Sequence, residues 1–161
     1  MLRSVRWVGV LAVLACALGV KAEFLVNTST DGDQRDPAVA MTGDGAFVVV
    51  WRGLDGDSGG IRARSFLSED VPLGSEYTVN SAASGSQSNP CVAMDAAGNY
   101  AVAWTTPGSD GYEDVVFRRM SLSGIPLSVE SRVNGYVTNR QIRPAIGMGS
   151  SDEFTIVWES N

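Results

Sequence analysis

Two aspartate-glycine loops hold the side chains of this sequence that are best suited to binding a metal ion. Asp55, Gly56 and Asp57 form the first loop, and Asp110 with Gly111 forms the second. Carboxylate oxygens are the ligands that Ca²⁺ prefers, so Asp55, Asp57 and Asp110 are candidate calcium ligands. An Asp-Gly pair is also typical of a tight turn, because glycine adopts positive φ at no steric cost. Neither loop has the full ligand pattern of an EF-hand, and the turn interpretation is favoured.

The composition excludes most catalytic chemistry. The chain has no histidine, and its lysine, Lys21, lies in residues 1–22, which have the features of a secretory leader. Residues 23–161 therefore cannot form a Ser-His-Asp triad, a histidine-ligated metal site or a lysine Schiff base. Paired carboxylates remain, and Glu76 and Glu130 are the candidates for glycosidase chemistry. Each sits at the start of an outer strand and not in an evident pocket, so we assign no catalytic residue.

The leader indicates where the protein functions. Residues 1–6 carry two arginines, and residues 7–20 form an uncharged, mostly apolar run of 14 residues. This pattern is typical of a cleaved signal peptide, and the run is shorter than the ~20 residues that a membrane span needs. A lipoprotein signal at Cys16 and a retained anchor are the alternatives. We expect a secreted, surface or periplasmic protein with no integral span after processing.

The charge balance argues against one class of partner. The whole chain has 12 basic and 18 acidic residues, and Arg3, Arg6 and Lys21 belong to the leader. Removing these three leaves 9 basic residues against 18 acidic ones, a formal charge of -9. Contact with phosphates requires a basic surface, so we expect no nucleic-acid partner.

Three copies of one motif organise residues 23–161. Each copy has a Gln-x-x-Pro sequence followed by a tryptophan, and the copies are offset by 53 and then 54 residues. The recurring residues are Gln34, Pro37 and Trp51; Gln87, Pro90 and Trp104; and Gln141, Pro144 and Trp158. A Val-Asn pair at 26–27 keeps the same register at 79–80 and 133–134. The repeat predicts a leader at 1–22, a first unit with a preceding outer strand at 23–80, a second unit at 81–134 and an incomplete third unit at 135–161.

Each unit is predicted to form four short antiparallel strands. In the first unit we place them at 37–41, 46–51, 61–67 and 76–80, because these runs are rich in β-branched and aromatic residues and end in turn formers. Alternation puts bulky side chains on one face of the second strand and small ones on the other. Such a sheet needs a neighbour on both faces. We therefore predict an all-β fold whose units stack as blades of a partial propeller of about two and a half units.

The repeated side chains have structural interpretations. The three tryptophans end apolar strands, so we expect them in the core, with sugar stacking as the alternative. The three glutamines are expected to pair with backbone groups at unit junctions. Arg64 and Arg118 are expected to be solvated, with carboxylate binding as the alternative. Cys91 stands where the other units have alanine, and we expect a small core residue rather than a reactive thiol.

A third acidic segment precedes the first strand and comprises Asp31, Asp33 and Asp36. The equivalent positions of the other units are Ser84, Ser86, Asn89, Thr138, Arg140 and Arg143. A metal site required in every unit would not become basic in the third. A site private to the first unit is the remaining alternative.

The repeat count raises the question of closure. Closed propellers have about 4–8 blades, so two and a half units do not close in the ordinary way. Residues 23–27 could supply a fourth strand to the last unit. A fragment of a longer repeat protein is the favoured interpretation, and a ring of several chains is the alternative. An exposed edge strand at 155–158 predicts self-association through open blade edges.

The pattern Q-x-x-P-x-V-A-M, a Gly turn, F-V-V-V-W, a D-G loop, I-x-A-R, P-L-G-x-E and V-N resembles a known kind of repeat. Tandem repeats of about 50 residues occur in large secreted bacterial proteins, some of which also carry haemolysin-type calcium-binding or adhesion modules. The resemblance covers residues 23–161 and is best at 34–51 and 53–64. It implies an extracellular, propeller-like module without defined catalytic residues. The third unit departs from the pattern at 149–152, where the turn glycine is expected.

These observations predict a non-catalytic β-repeat module for binding, adhesion or structural roles, with a glycan or another cell-surface ligand as partner. No cofactor is assigned, with calcium at the aspartate loops as the alternative. A fragment of a carbohydrate-active propeller enzyme, of the sialidase or glycosidase kind, is the second functional interpretation.

Overall fold

The computed structural model describes residues 24–56, 58–68 and 71–161, together with the backbone of three short leader strands. The leader strands are β1 (Ala12–Val13), β2 (Cys16–Ala17) and β3 (Gly19–Val20). The remaining strands are β4 (Phe24–Leu25), β5 (Arg35–Met41), β6 (Phe47–Leu54), β7 (Gly59–Ser68), β8 (Val71–Pro72), β9 (Tyr77–Thr78), β10 (Ser88–Met94), β11 (Tyr100–Pro107), β12 (Glu113–Met120), β13 (Ser131–Arg132), β14 (Gln141–Met148) and β15 (Phe154–Ser160). The described residues contain no helix, so the predicted all-β class is confirmed.

The strands form one antiparallel sheet for each repeat. The first sheet has the order β5-β6-β7, and both β8 and β9 pair with β7. The second sheet has the order β10-β11-β12-β13, and the third consists of β14 and β15. Outside these sheets, β1 pairs with β4 and β2 pairs with β3. The first two units therefore contain the four predicted strands, and the first unit adds β8.

The strand bounds differ from the prediction at both ends of the sheet. β5 begins at Arg35, two residues before the expected start, and β6 continues past Trp51 to Leu54. The fourth strand is shorter than expected, because β9 contains only Tyr77 and Thr78. After β9 the main chain still bonds to β7, since the Val79 N–H donates to the Ile61 carbonyl at 2.7 Å.

A bulge interrupts the first strand of every sheet. The register shifts between Arg35 and Ala38, between Ser88 and Cys91, and between Ile142 and Ala145. The residue before each proline adopts positive φ, with values of 52° at Asp36, 51° at Asn89 and 51° at Arg143. Asp and Asn tolerate this left-handed conformation better than most residues do. Backbone geometry therefore accounts for Asp36, one member of the acidic segment.

The first two sheets share one hydrophobic core. The first sheet contributes its smaller face, with Val48, Val50 and Ala63, and the second contributes its bulky face, with Tyr100 and Trp104. Large side chains of one unit thus pack against smaller ones of the unit before it, as the alternation predicts. The bulky face of the first sheet forms a second cluster. Its members are Val26, Phe47, Val49, Trp51 and Phe66, with Phe24 packed on them.

The segment that begins at Phe24 lies on the first sheet. The Phe24 ring is 5.4 Å from the Phe66 ring and 6.5 Å from the Phe47 ring, measured between centroids. Its strand, β4, pairs with β1 and not with a strand of the third sheet. The possible closure of the last unit by residues 23–27 is thus not the arrangement of this structure.

Among the described residues, we find no helix of the length and apolar character that a membrane crossing requires.

Candidate functional site

The repeated glutamine and tryptophan form a hydrogen-bonded pair in two of the three units. Because Arg35 pairs with Arg52, the adjacent Gln34 is brought beside the end of β6. The Trp51 indole N–H donates to Gln34 Oε1 at 2.6 Å, and Gln34 Nε2 donates to the Asp31 carbonyl at 2.9 Å. In the third unit, the Trp158 indole donates to Gln141 Oε1 at 2.9 Å, and Gln141 Nε2 donates to the Thr138 carbonyl at 3.3 Å.

The middle unit lacks the indole bond. Gln87 Nε2 donates to the Ser84 carbonyl at 3.3 Å, but Gln87 Oε1 and the Trp104 indole nitrogen are buried without a partner. All three glutamines thus bind backbone, as expected, while the pairing with tryptophan was not foreseen. Trp51 and Trp104 are fully buried and Trp158 is 36% exposed. Stacking on a sugar is therefore sterically open to Trp158 alone of these three side chains.

A repeated arginine in each of the first two sheets bonds to the chain segment before that sheet. Arg64 Nη1 donates to the Val26 carbonyl at 2.8 Å, and Arg64 Nε donates to the Gly74 carbonyl at 3.1 Å. Arg118 makes the equivalent bonds, to the Val79 carbonyl at 2.9 Å and to the Ser128 carbonyl at 3.3 Å. Both arginines are partly exposed, which is compatible with the expected solvation, and the bonds of their guanidinium groups described above go to main-chain oxygens.

The two glutamates considered for catalysis bond to the same preceding chain segments as the two arginines: Glu76 shares its segment with Arg64, and Glu130 shares its segment with Arg118. Glu76 Oε2 accepts from the Thr28 N–H at 2.8 Å and from the Ser29 N–H at 3.4 Å, and Arg62 donates to its Oε1 at 3.0 Å. Burial acts to raise the pKa of Glu76, but these backbone N–H groups and Arg62 outweigh it and hold the pKa below its ordinary value of 4.5.

Glu130 repeats this contact at the next junction. Its Oε2 accepts from the Ser81 N–H and from the Ser81 hydroxyl, both at 2.8 Å. The two carboxylates thus belong to separate junctions, and each one closes a backbone contact between its own unit and the preceding segment. A general acid must instead be free to exchange its proton with a substrate. These bonds favour a structural role for both residues.

The asparagines of the Val-Asn pairs have a role that the sequence did not reveal. Asn80 Oδ1 accepts from the Ile61 N–H at 2.7 Å, while its Nδ2 donates to Asp55 Oδ2 at 2.7 Å and to the Ala82 carbonyl at 2.9 Å. Asn134 makes the same set of bonds with Val115 N–H, Asp114 Oδ1 and the Tyr136 carbonyl. The constant spacing in the sequence between these asparagines and the repeated glutamines was the signal that could have indicated this role.

The aspartate loops place the candidate calcium ligands in different environments. Asp55 is held by Asn80, its Oδ1 is buried without a partner, and its carboxylate fills the space that a side chain on Gly60 would need. Asp110 Oδ1 accepts from the Tyr112 N–H at 3.2 Å, within a turn where Gly111 has a φ of 88°.

Asp57 lies outside the described residues, and its part in a site stays a prediction. Asp114, not Asp110, is the counterpart of Asp55, because each of the two accepts from the asparagine of its own unit. Within the described ranges, no group of three or more His, Cys, Asp or Glu side chains is arranged to hold a metal ion. Calcium binding at these loops remains a prediction from the sequence.

Cys91 is half-buried on β10, with its Sγ 3.5 Å from the Ala103 carbonyl oxygen. Burial raises the pKa of the thiol to about 11. The thiolate is the nucleophilic form, so this thiol is inert at neutral pH. The environment is that of a small packing residue.

A cleft lies between the first and second units. It has a volume of about 260 Å³ and is lined by Asp33, Arg52, Gly53, Leu54, Ser58, Gly59 and Ser86. Arg52 Nη2 donates to the Ser86 hydroxyl at 2.8 Å, and Arg52 Nε is buried without a partner. Arg52 therefore lies at the boundary between the two units and bonds across it to Ser86.

Comparison of the chain with protein-family models, with curated proteins and with solved structures gives no match.

Proposed function

We propose that this protein is a secreted or surface-exposed, non-catalytic β-repeat module that serves binding or adhesion. The strongest support is the bonding of the polar side chains that recur at equivalent positions of successive units. The glutamines, the asparagines 80 and 134, and Arg64, Arg118, Glu76 and Glu130 all bind main-chain groups. The repeat therefore maintains an architecture, and its recurring polar residues are occupied by that task.

The proposed architecture is propeller-like, in keeping with the resemblance to tandem repeats of secreted bacterial proteins. The first strands of the three sheets lie next to one another, with β10 against both β5 and β14. The shared core of the first two sheets has the bulky-on-small packing that stacked blades need. Both features support blades that follow one another around an axis.

The ligand class follows from the cleft between the first two units. Arg52 and the hydroxyl-bearing Ser86 are side chains that bind hydroxyl and carboxylate groups of sugars well. A cell-surface glycan, bound through its hydroxyl groups, is the ligand that we propose. The acidic character of the chain, at a formal charge of -6, argues against nucleic acid as a competing partner.

A glycan array probed with the full chain tests this function. We expect glycan binding that Arg52→Ala reduces, while Arg132→Ala, which removes a half-exposed arginine on β13, leaves it unchanged. A panel of chromogenic glycosides addresses the enzymatic interpretation. Turnover of any glycoside would replace the proposal with a carbohydrate-active enzyme, and the absence of any glycan signal would leave a purely structural module.

A further inference from the structure

The junction between the first two units shows how two faces of this repeat cover each other. Val92 and Met94 of β10 project from the bulky face of the second unit and pack on the shared core. Opposite them in that core are Val48 and Val50 of the first unit, both fully buried. A unit therefore has a small-residue face, on which the following unit packs, and a bulky face, which packs on the preceding unit.

Parts of these two faces recur exposed at opposite ends of the described chain, while Phe24 and Val26 cover the rest of the bulky face of the first sheet. Val39 and Met41 are the first-unit equivalents of Val92 and Met94, and they are 57% and 60% exposed. Val157 is the third-unit equivalent of Val50, and it is 59% exposed. We call the first of these surfaces the head face (Val39 and Met41) and the second the tail face (Ala145, Gly147, Thr155 and Val157).

We propose that the head face of one copy of this chain stacks on the tail face of a second copy. The internal junction is the basis for naming this occupant, because the residues that would meet are the register equivalents of residues that already pack together within the chain. Ala145 and Gly147 correspond to Ala38 and Ala40, which pack on the first core cluster. Small residues on the tail face therefore leave room for the larger Val39 and Met41 side chains.

The contact is heterologous, since two different surfaces meet. Each copy keeps one free head and one free tail after pairing, so association continues until a ring closes or a filament grows. An isologous dimer, in which the same surface meets itself, would instead stop at two copies. This difference gives the proposal a distinctive test.

The test uses three matched substitutions at exposed valines in the full chain, expressed with its own leader and purified from the exported fraction. Val39→Asp blocks the head face, Val157→Asp blocks the tail face, and Val129→Asp is the control at a residue that is 75% exposed and belongs to neither face. Far-UV circular dichroism and thermal unfolding verify that each variant is folded. Should Val39→Asp fail to fold, Met41→Asp replaces it on the same face.

Sedimentation velocity then measures association. We expect oligomers for the unmodified chain and the control, and a dissociation constant at least about tenfold higher for each blocked variant alone, because an unpaired carboxylate would be buried. An equimolar mixture of the two blocked variants should form a one-to-one dimer and nothing larger, since each supplies one intact face. A monomeric unmodified chain, a mixture that does not associate, or equal weakening by Val129→Asp would overturn the proposal.

Discussion

Equivalent positions of the repeats share a main-chain conformation even where their side chains differ. Asp36, Asn89 and Arg143 differ in charge, yet all three adopt positive φ directly before a proline. The conformation is common to the units and the side chain is not, so the bulge is the feature that the repeat maintains. Arg143 is the poorest fit, since a long side chain has no local hydrogen bond that favours left-handed backbone.

Replacing Arg143 with asparagine should therefore stabilise the protein. We expect Arg143→Asn to raise the free energy of unfolding by about 0.5–1 kcal/mol, because asparagine relieves the strain at a φ of 51°. The exposed pair with Glu159 that is lost contributes little. The reciprocal change Asn89→Arg should destabilise by a similar amount. Thermal unfolding of both variants measures this, and shifts of the same sign would contradict the explanation.

The tryptophan positions allow a second comparison between units. Trp51→Phe leaves the buried Oε1 of Gln34 without its donor, whereas Trp104→Phe removes an indole nitrogen that has no partner. We expect Trp51→Phe to cost about 1 kcal/mol more than Trp104→Phe in chemical denaturation. Adding Gln34→Leu to Trp51→Phe should recover part of the loss. Equal costs for the two tryptophans would show that the hydrogen bond contributes nothing.

The sequence predicted the individual strands and turns better than any other level of the structure. Continuous apolar runs located the buried parts of β6 and β11, because both faces are buried over Phe47–Trp51 and Tyr100–Trp104. The ends were less well located. β6 runs on to Leu54 through a glycine-containing segment that pairs with Gly59 and Gly60, and such pairing depends on the partner strand.

The candidate site could not be built from the sequence to the same degree. Arg64 binds a carbonyl 38 residues earlier, and Glu130 binds an N–H 49 residues earlier. Nearly every residue has both a main-chain N–H and a carbonyl group, so the residue types do not indicate which residues provide these partners. The repeat pointed to the correct positions, but it could not indicate which of their bonds would be with backbone.

The contact of Glu76 with the segment before the first sheet predicts a pH dependence. The folded state lowers the pKa of Glu76 below 4.5, so its ionised carboxylate stabilises the fold. This contribution is complete above about pH 4.5 and is lost as the pH falls through the lowered pKa. Glu76→Gln should therefore destabilise by about 1 kcal/mol at pH 7, with a smaller difference near pH 3. A constant difference across this range would exclude ionisation as the cause.

Stability of the whole molecule depends on contacts between successive units as much as on the sheets themselves. The first core cluster draws residues from two sheets, and Arg118 bridges them through the Val79 carbonyl. In repeat proteins, stability is approximately the sum of the terms within units and the terms between neighbours. Weakening one junction should therefore separate the unfolding of its two units.

Arg118→Met tests this coupling. The variant keeps much of the side-chain length and loses both carbonyl bonds, and we expect a loss of about 1–3 kcal/mol. We also expect the denaturation curves from tryptophan fluorescence and from far-UV circular dichroism to stop coinciding. Arg132→Met is the control, because Arg132 makes one half-exposed ion pair at 3.7 Å. A single coincident transition in Arg118→Met would show that the sheets unfold as one unit regardless of this bond.

The bonds at the junctions between units affect how the sequence of such a repeat protein can change during evolution. Arg64 and Arg118 hold the segment before them by its carbonyl oxygens, and Glu76 and Glu130 hold it by its N–H groups. Every residue type except proline offers both groups, so these main-chain bonds do not depend on which side chain stands at the bonded position. A duplicated copy of the coding segment would thus produce a unit already able to dock on its predecessor, and the array can lengthen or shorten by recombination while each new junction is made from parts already present.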